Sequence, residues 1–149
     1  TLRALRILKE VDVVLCEDTR TTKVLLNKYE ITTKCESYHS HSKDSKVEKI
    51  KEWLEEGKIL ALVSDAGTPC ISDPGVALIA EIRKDLRDVE IIAVPGASAL
   101  TALISIAGVY ADKFTFHGFV PHKKGRQTLL KEILNSKNTV LKVSQFDLF

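Results

Sequence analysis

The stretch that decides the fold is Ile59-Leu-Ala-Leu-Val63 followed by Ser64-Asp-Ala-Gly-Thr-Pro-Cys-Ile-Ser-Asp-Pro-Gly75. The short apolar run predicts a buried strand, and a helical pattern over 76–86 follows the polar part. The connection holds two Gly, two Pro, two Asp and two Ser in twelve residues, whereas a plain strand-to-helix turn needs only a few residues. The end of this connection is explained as a helix start, with Asp73 as N-cap and Pro74 at the first helical position. Because open α/β sheets bind ligands at the carboxyl ends of strands, we expect the rest, 64–70, to be a ligand loop.

Strands and helices alternate along much of the chain. Two further apolar runs predict strands, at 11–15 and 89–94, and the more polar stretch 35–38 has the weaker pattern of one more strand. Helical patterns begin near Leu2 and after the predicted caps Asp18, Ser42 and Ser98. The last of these helices, 99–107, is so apolar that it is predicted to be buried. This order predicts an α/β fold whose open, mostly parallel sheet carries helices on both faces.

The pattern changes near residues 110–113. Phe114 to Phe119 alternates in the way of a half-buried strand of a different sheet, a helix with Leu129 and Ile133 follows, and 139–143 predicts one more strand. We therefore divide the chain into an N-terminal α/β domain, 1–112, and the beginning of a second, α+β domain, 113–149, which is too short to be complete. The chain has no Met and starts inside a helical pattern, so we expect its natural N-terminus to lie upstream of Thr1.

Composition narrows the class of protein. With 149 residues, 44% apolar and 28% charged, the chain is typical of a soluble globular protein. Its net charge of +2 provides no global basic field, so any nucleic-acid binding must depend on local patches. No apolar stretch approaches the length of a membrane span, and no secretory signal is present. Three cysteines without C-x-x-C spacing predict reduced thiols of a cytosolic protein rather than a disulfide framework or zinc site.

Two other polar segments hold candidate catalytic groups. After the strand at 11–15, Asp18 is either the cap of the next helix or a catalytic carboxylate, and Arg20 is a suitable hook for a phosphate or carboxylate. The pair His39-Ser-His41 can bind a metal, but no further Cys or His cluster is nearby, so no metal site is predicted. His39 alone has the unperturbed pKa range of a general base, or makes a structural hydrogen bond at a strand end.

Four motifs in one order resemble a known family: Val-Ser-Asp-Ala-Gly-Thr-Pro (63–69), Ile-Ser-Asp-Pro-Gly (71–75), Val-Pro-Gly-Ala-Ser-Ala (94–99) and Phe-His-Gly-Phe-Val-Pro (116–121). They look like the tetrapyrrole methylase superfamily over about residues 1–135. Glu17-Asp-Thr-Arg20 and Ser37-Tyr-His39 fit the branch that methylates small-subunit ribosomal RNA on a cytidine ribose 2′-oxygen. Porphyrin and corrin methylases usually carry a Gly-Asp-Pro type loop at the position of Asp-Ala-Gly-Thr-Pro.

The resemblance implies S-adenosylmethionine as methyl donor, no metal, a homodimer, a cytoplasmic location without a membrane, and ribosomal RNA of the small subunit as substrate. The donor-binding residues it implies are Ser64, Asp65, Ala66, Gly67, Thr68, Pro95, Gly96, Ala97 and Ser98. The candidates for catalysis are Asp18, His39 and Lys124. The candidates for RNA contact are Arg20, Lys123, Lys124 and Arg126.

Two departures from the family pattern leave alternatives open. The family begins with a strand and a Pro-Ile-Gly-Asn-type turn that are absent before Thr1, and 141–149 does not match the acidic Glu-Ser-Pro-His-Arg stretch usual there. This chain is therefore predicted to be a fragment. The alternatives are a small-molecule methylase acting on a tetrapyrrole-type precursor, against which the Asp-Ala-Gly-Thr-Pro loop and the basic patch at 122–126 argue, and an inactive truncated domain.

Overall fold

A computed structural model describes residues 1–39, 44–121, 123–136 and 139–143, which form two compact units, Thr1–Ala97 and Ser98–Phe149. The first unit contains α1 (Leu2–Glu10), β1 (Val13–Cys16), α2 (Thr19–Lys28), β2 (Lys34–Ser37), α3 (Asp44–Glu55), β3 (Leu60–Val63) and α4 (Gly75–Asp85). The second contains α5 (Ala99–Ile106), β4 (Phe114–Phe119), α6 (Arg126–Asn135) and β5 (Thr139–Val143). The domain division predicted between residues 112 and 113 stays a prediction.

The first unit is built on a parallel sheet in the order β2-β1-β3. Val14 of β1 lies opposite Cys35 of β2 and Ala61 of β3, and all four residues of β1 are buried. Parallel strands buried on both faces are typical of α/β proteins, in which helices cover the sheet on either side. The predicted α/β class with an open parallel sheet is therefore confirmed.

Two hydrophobic cores lie on opposite faces of this sheet. Val13 and Leu15 pack in one cluster with residues of α3 and α4, namely Ile50, Leu78 and Ile82. The intervening Val14 packs in the other cluster, with residues of α1 and α2 and the turn after α2, namely Leu8, Leu26 and Ile31. Since successive side chains of a strand point to opposite faces, β1 supplies both cores and positions the helices on both sides, as predicted.

The structure confirms the predicted caps Asp18 and Ser98 and corrects the third, since the N-cap of α4 is Pro74 and not Asp73. Asp18 is the N-cap of α2, with its carboxylate accepting the amide of Arg20. The Asp73 carboxylate accepts the amide of Gly75 at 2.8 Å, where α4 begins. The predicted cap of α3, Ser42, lies outside the described residues.

The three cysteines are free thiols, namely Cys16, Cys35 and Cys70.

The strand predicted at 89–94 is wrong. The segment belongs to no described strand, and the Ile92 side chain is 59% exposed. A cleft of about 630 Å³ is lined by Leu60 and Leu62 of the edge strand β3 and by Ile91 and Val94 of the segment. The segment and β3 therefore face a common cleft and do not pair as strands.

The second unit contains a small parallel sheet, in which Phe114 of β4 lies opposite Thr139 of β5. Both predicted strands are thus confirmed. The predicted burial of the helix over 99–107 is wrong: α5 has no buried residue, and Ile106 is 82% exposed. None of the residues in this unit whose exposure is described is buried, so no described element of the unit covers the apolar surface of α5. Across the described ranges, no helix is both long and apolar enough to cross a membrane.

Candidate functional site

The polar loop after β3 has an unusual backbone. Gly67 has a φ of +77°, and the non-glycine residues Cys70 and Ser72 have φ values of +68° and +66°. A left-handed conformation at a residue with a Cβ costs about 1–3 kcal/mol and persists only where the surroundings impose it. Such strain concentrates at ligand-binding sites, and this loop contains it twice within three residues.

The first two residues of the loop are held by the end of the neighbouring strand. Because Cys16 of β1 lies opposite Val63 of β3, the next residues along each strand, Glu17 and Ser64, leave the sheet side by side. The Glu17 Oε1 atom accepts a hydrogen bond from Ser64 Oγ at 2.9 Å and one from the amide of Asp65 at 3.4 Å. Glu17 therefore anchors the loop to the central strand of the sheet.

Three carboxylates gather at these two strand ends, and their environments differ. Loss of water around its carboxyl group, then the charge of Glu17, raise the pKa of Asp65 above its usual value. The Asp18 carboxylate is instead bound by the guanidinium of Arg20, with an Nη2 to Oδ2 distance of 2.7 Å, and this contact lowers the pKa of Asp18 to about 2. A group with so low a pKa is a weak proton acceptor, so the observed role of Asp18 is that of a helix cap.

The loop also meets the segment that precedes α5. Thr68 Oγ1 donates a hydrogen bond to the carbonyl oxygen of Ala97 at 3.1 Å. Two of the predicted donor-binding segments, 64–68 and 95–97, are thus joined within the first unit. Ser98 begins the second unit as the N-cap of α5, and its hydroxyl accepts the amide of Thr101 at 3.4 Å.

The same two segments form one end of the cleft beside β3. Thr68, Pro69 and Cys70 line it from the loop and Pro95 from the second segment, while the rest of its lining is mostly apolar. Its volume of about 630 Å³ is within the range of sites for small organic molecules. A mostly apolar slot of this size suits a flat ring.

The sequence pattern of one family, described as Tetrapyrrole (Corrin/Porphyrin) Methylases, matches residues 1–145 of this chain. This chain belongs to the tetrapyrrole methylase family. The resemblance seen in the four motifs is therefore confirmed, and the parallel sheet with helices on both faces is consistent with the methylase fold.

Curated relatives of this methylase chain carry the name Ribosomal RNA small subunit methyltransferase I. The protein of that name from Thermotoga maritima is 45% identical over 141 residues, which are 95% of this chain and 62% of the relative. The one from Bacillus subtilis is 47% identical over 145 residues, 95% of this chain and 48% of the relative. The chain thus spans about half to three fifths of the length of these relatives.

The predicted histidine lies in a different pocket of the methylase chain. His39 follows β2 and lines a pocket of about 430 Å³ with Tyr38 and three carboxylates, those of Asp44, Glu48 and Glu81. Burial, then the charge of Glu81, raise the pKa of Tyr38. This pocket shares no lining residue with the cleft beside β3. The second histidine of the predicted pair, His41, lies outside the described residues.

The remaining predicted residues fall into two places. Arg20 is in the first unit, its guanidinium exposed and bound to Asp18. Lys123, Lys124 and Arg126 are exposed in the second unit, just before and at the start of α6. Within the described ranges no group of three His, Cys, Asp or Glu side chains is arranged to hold a metal ion.

Glu17 is the site residue that sequence reasoning missed. Its motif, Glu17-Asp-Thr-Arg20, was part of the family resemblance, but no role followed from it. The signal that could have found it is its position directly after a predicted central strand, where side chains face the same edge as the ligand loop.

Proposed function

We propose that this chain carries the donor-binding part of an S-adenosylmethionine-dependent methyltransferase that acts on a cytidine ribose 2′-oxygen in small-subunit ribosomal RNA. The observation that supports it most is the junction of loop 64–68 with 95–97 through Thr68 and Ala97, in a chain whose relatives are named ribosomal RNA methyltransferases. The whole protein's activity would also need the parts of the relatives that this chain does not span.

The cleft and the two loops that contribute to its lining suit the donor. When bound, S-adenosylmethionine supplies a methyl group on a positively charged sulfur, which a nucleophile displaces in line. The carboxylate of Asp65 and the backbone carbonyls of 66–68 would offer negative charge for that sulfur. The amides of Gly96 and Ala97 would offer donors for the carboxylate of the ligand. The apolar walls beside Pro69 and Pro95 offer a place for its adenine ring.

The proposed roles at the acceptor side follow from the charges. Among the three candidates, Asp18 is the weakest base because Arg20 holds its pKa at about 2. His39 and Lys124 are the better candidates, either as a base that removes the proton of a ribose hydroxyl or as a cation that stabilises the oxygen left behind. Four basic side chains would contact RNA phosphates and position the RNA without reading its bases, namely Arg20, Lys123, Lys124 and Arg126. Ribosomal RNA as substrate implies a cytoplasmic protein, and the family implies a homodimer.

Calorimetric titration with S-adenosylmethionine and S-adenosylhomocysteine tests the donor site. We expect saturable binding that Asp65→Ala weakens about tenfold or more, since a charge facing a buried cation is worth over 1.4 kcal/mol. The matched control is Asp88→Ala, an exposed carboxylate in the turn after α4, which should leave the affinity unchanged. A chain that melts cooperatively yet binds neither ligand would contradict a donor site built by these loops.

A second candidate function has one specific observation in its favour. The family description names corrin and porphyrin methylases, so a small tetrapyrrole-type molecule is the alternative acceptor. Transfer of a labelled methyl group by the full-length protein distinguishes the two. We expect label in small ribosomal subunits and none in a porphyrin precursor such as uroporphyrinogen, and the reverse result would support the alternative.

A further inference from the structure

Three lysines surround the single tryptophan of the chain. Trp53, on α3, is half-buried and packs against the core formed by Val13 and Leu15. The Nζ atoms of Lys34, Lys49 and Lys58 lie 5.1, 4.8 and 5.7 Å from the centroid of its ring. They come from β2, from α3 and from the turn after α3, so residues distant in sequence build one surface, which we call the indole patch.

The indole patch has more positive than negative charge. The carboxylate of Glu36 lies 3.0 Å from the Nζ atom of Lys34 and 4.0 Å from that of Lys49. The carboxylate of Glu56 lies 2.5 Å from the Nζ atom of Lys58. A fourth lysine, Lys46, donates to the hydroxyl of Ser37. The three ammonium groups of the indole patch thus meet two carboxylates, those of Glu36 and Glu56. The hydrogen bond from Lys34, and the charges of the other lysines, lower the pKa of Glu36.

The lysine side chains hold their ammonium groups over the indole ring and stay partly exposed to water. The side chains of Lys34 and Lys49 are 57% and 50% exposed. Because each Nζ atom is within 5.7 Å of one centroid, the three ammonium groups lie within about 11 Å of each other. Like charges this close repel one another. A ligand with several linked negative charges would relieve that repulsion at several groups at once, which a single small anion would not.

We propose that the indole patch binds the phosphate backbone of RNA. The proposal rests on the proposed function for its choice of polyanion, since the relatives are named for ribosomal RNA. It adds a surface on α3 and β2 to the candidate contacts at Arg20 and 123–126. Because the groups that face the solvent over the indole are ammonium groups, the contact is with phosphates and carries no base specificity.

The emission of Trp53 reports on this surface directly, because the chain has no other tryptophan. Titration of the 149-residue chain with dodecauridylate at low salt should change that emission in a saturable way. Replacing Lys34, Lys49 and Lys58 together by Gln should weaken binding about tenfold or more. It should also reduce the slope of log affinity against log salt by about 2, because fewer counterions are released. The corresponding Lys→Arg triple should retain both affinity and slope.

The matched control changes the same number of charges on the other face of the sheet. Arg3, Arg6 and Lys9 are exposed on α1, which packs in the opposite core, and their Gln triple should bind as the unchanged chain does. Equal affinities and slopes for the two Gln triples would overturn the proposal. So would an emission change with polyglutamate and none with the RNA, because the surface would then fit an acidic protein segment. No methyl donor is needed, so the result is independent of whether the donor site is correct.

Discussion

Two segments of the first unit have nearly the same chemistry and different structures. Val11-Asp-Val-Val-Leu-Cys16 and Val89-Glu-Ile-Ile-Ala-Val94 each consist of an apolar residue, an acid and four apolar residues. The first contains β1, buried and paired on both sides. The second lies in no described strand and is largely exposed. Composition thus identifies segments that suit a strand, but pairing with a neighbouring strand, which composition does not specify, decides whether one forms.

The largest difference between the two segments is expected in the hydrophobic contribution to stability. Val14 is fully buried in β1, so Val14→Ala should lower the free energy of unfolding by about 2–3 kcal/mol through lost burial and a cavity. Ile92→Ala, at the corresponding position of the exposed segment, should lower it by less than about 0.5 kcal/mol. Urea denaturation of both variants measures the two values, and equal losses would mean that 89–94 is packed in solution.

A smaller difference in stability is expected between the acidic residues of the two segments, Asp12 and Glu90. The Asp12 carboxylate accepts the amide of Ile59 at 2.8 Å and so helps to join β1 to β3. Asp12→Ala should therefore cost about 1 kcal/mol of stability, the usual net contribution of such a hydrogen bond. Glu90→Ala, its counterpart in the unpaired segment, should leave the melting temperature almost unchanged. A larger loss at Glu90 than at Asp12 would reverse the comparison.

The smallest effect is expected at the end of β1, where Asp18 titrates. Since Arg20 depresses its pKa in the folded chain to about 2, the contribution of this carboxylate to stability is present above the pKa of the unfolded chain. It is lost as the pH falls through about 2. Carboxyl carbon NMR should show Asp18 titrating with a pKa near 2, below the usual range of an aspartate. Arg20→Gln should move its midpoint up toward the usual value, and an unchanged midpoint would contradict the ion pair.

Local signals were sufficient for most of the first unit. The run at 11–15 and the cap at Asp18 could be predicted because hydrophobic periodicity and capping depend on residues near in sequence. The contact of Glu17 with Ser64 joins residues 47 apart, and it follows from the pairing of β1 with β3, which no local pattern specifies. The predicted burial of α5 and of residues 89–94 was wrong for the same reason, because burial depends on covering segments that are distant in sequence.

The hydrogen bonds of Glu17 make the ligand loop and the sheet one cooperative unit. A loop held only by its own turns can open alone, whereas this one is tied to the most buried strand of the chain. Any molecule that binds the closed loop and not the unfolded chain would then raise the melting temperature of the whole sheet, by the equivalent of about 2.7 kcal/mol at a hundredfold excess over its Kd. Thermal shift of the sheet is therefore a general screen for the ligands of this site, and replacing Glu17 by Ala would uncouple the two.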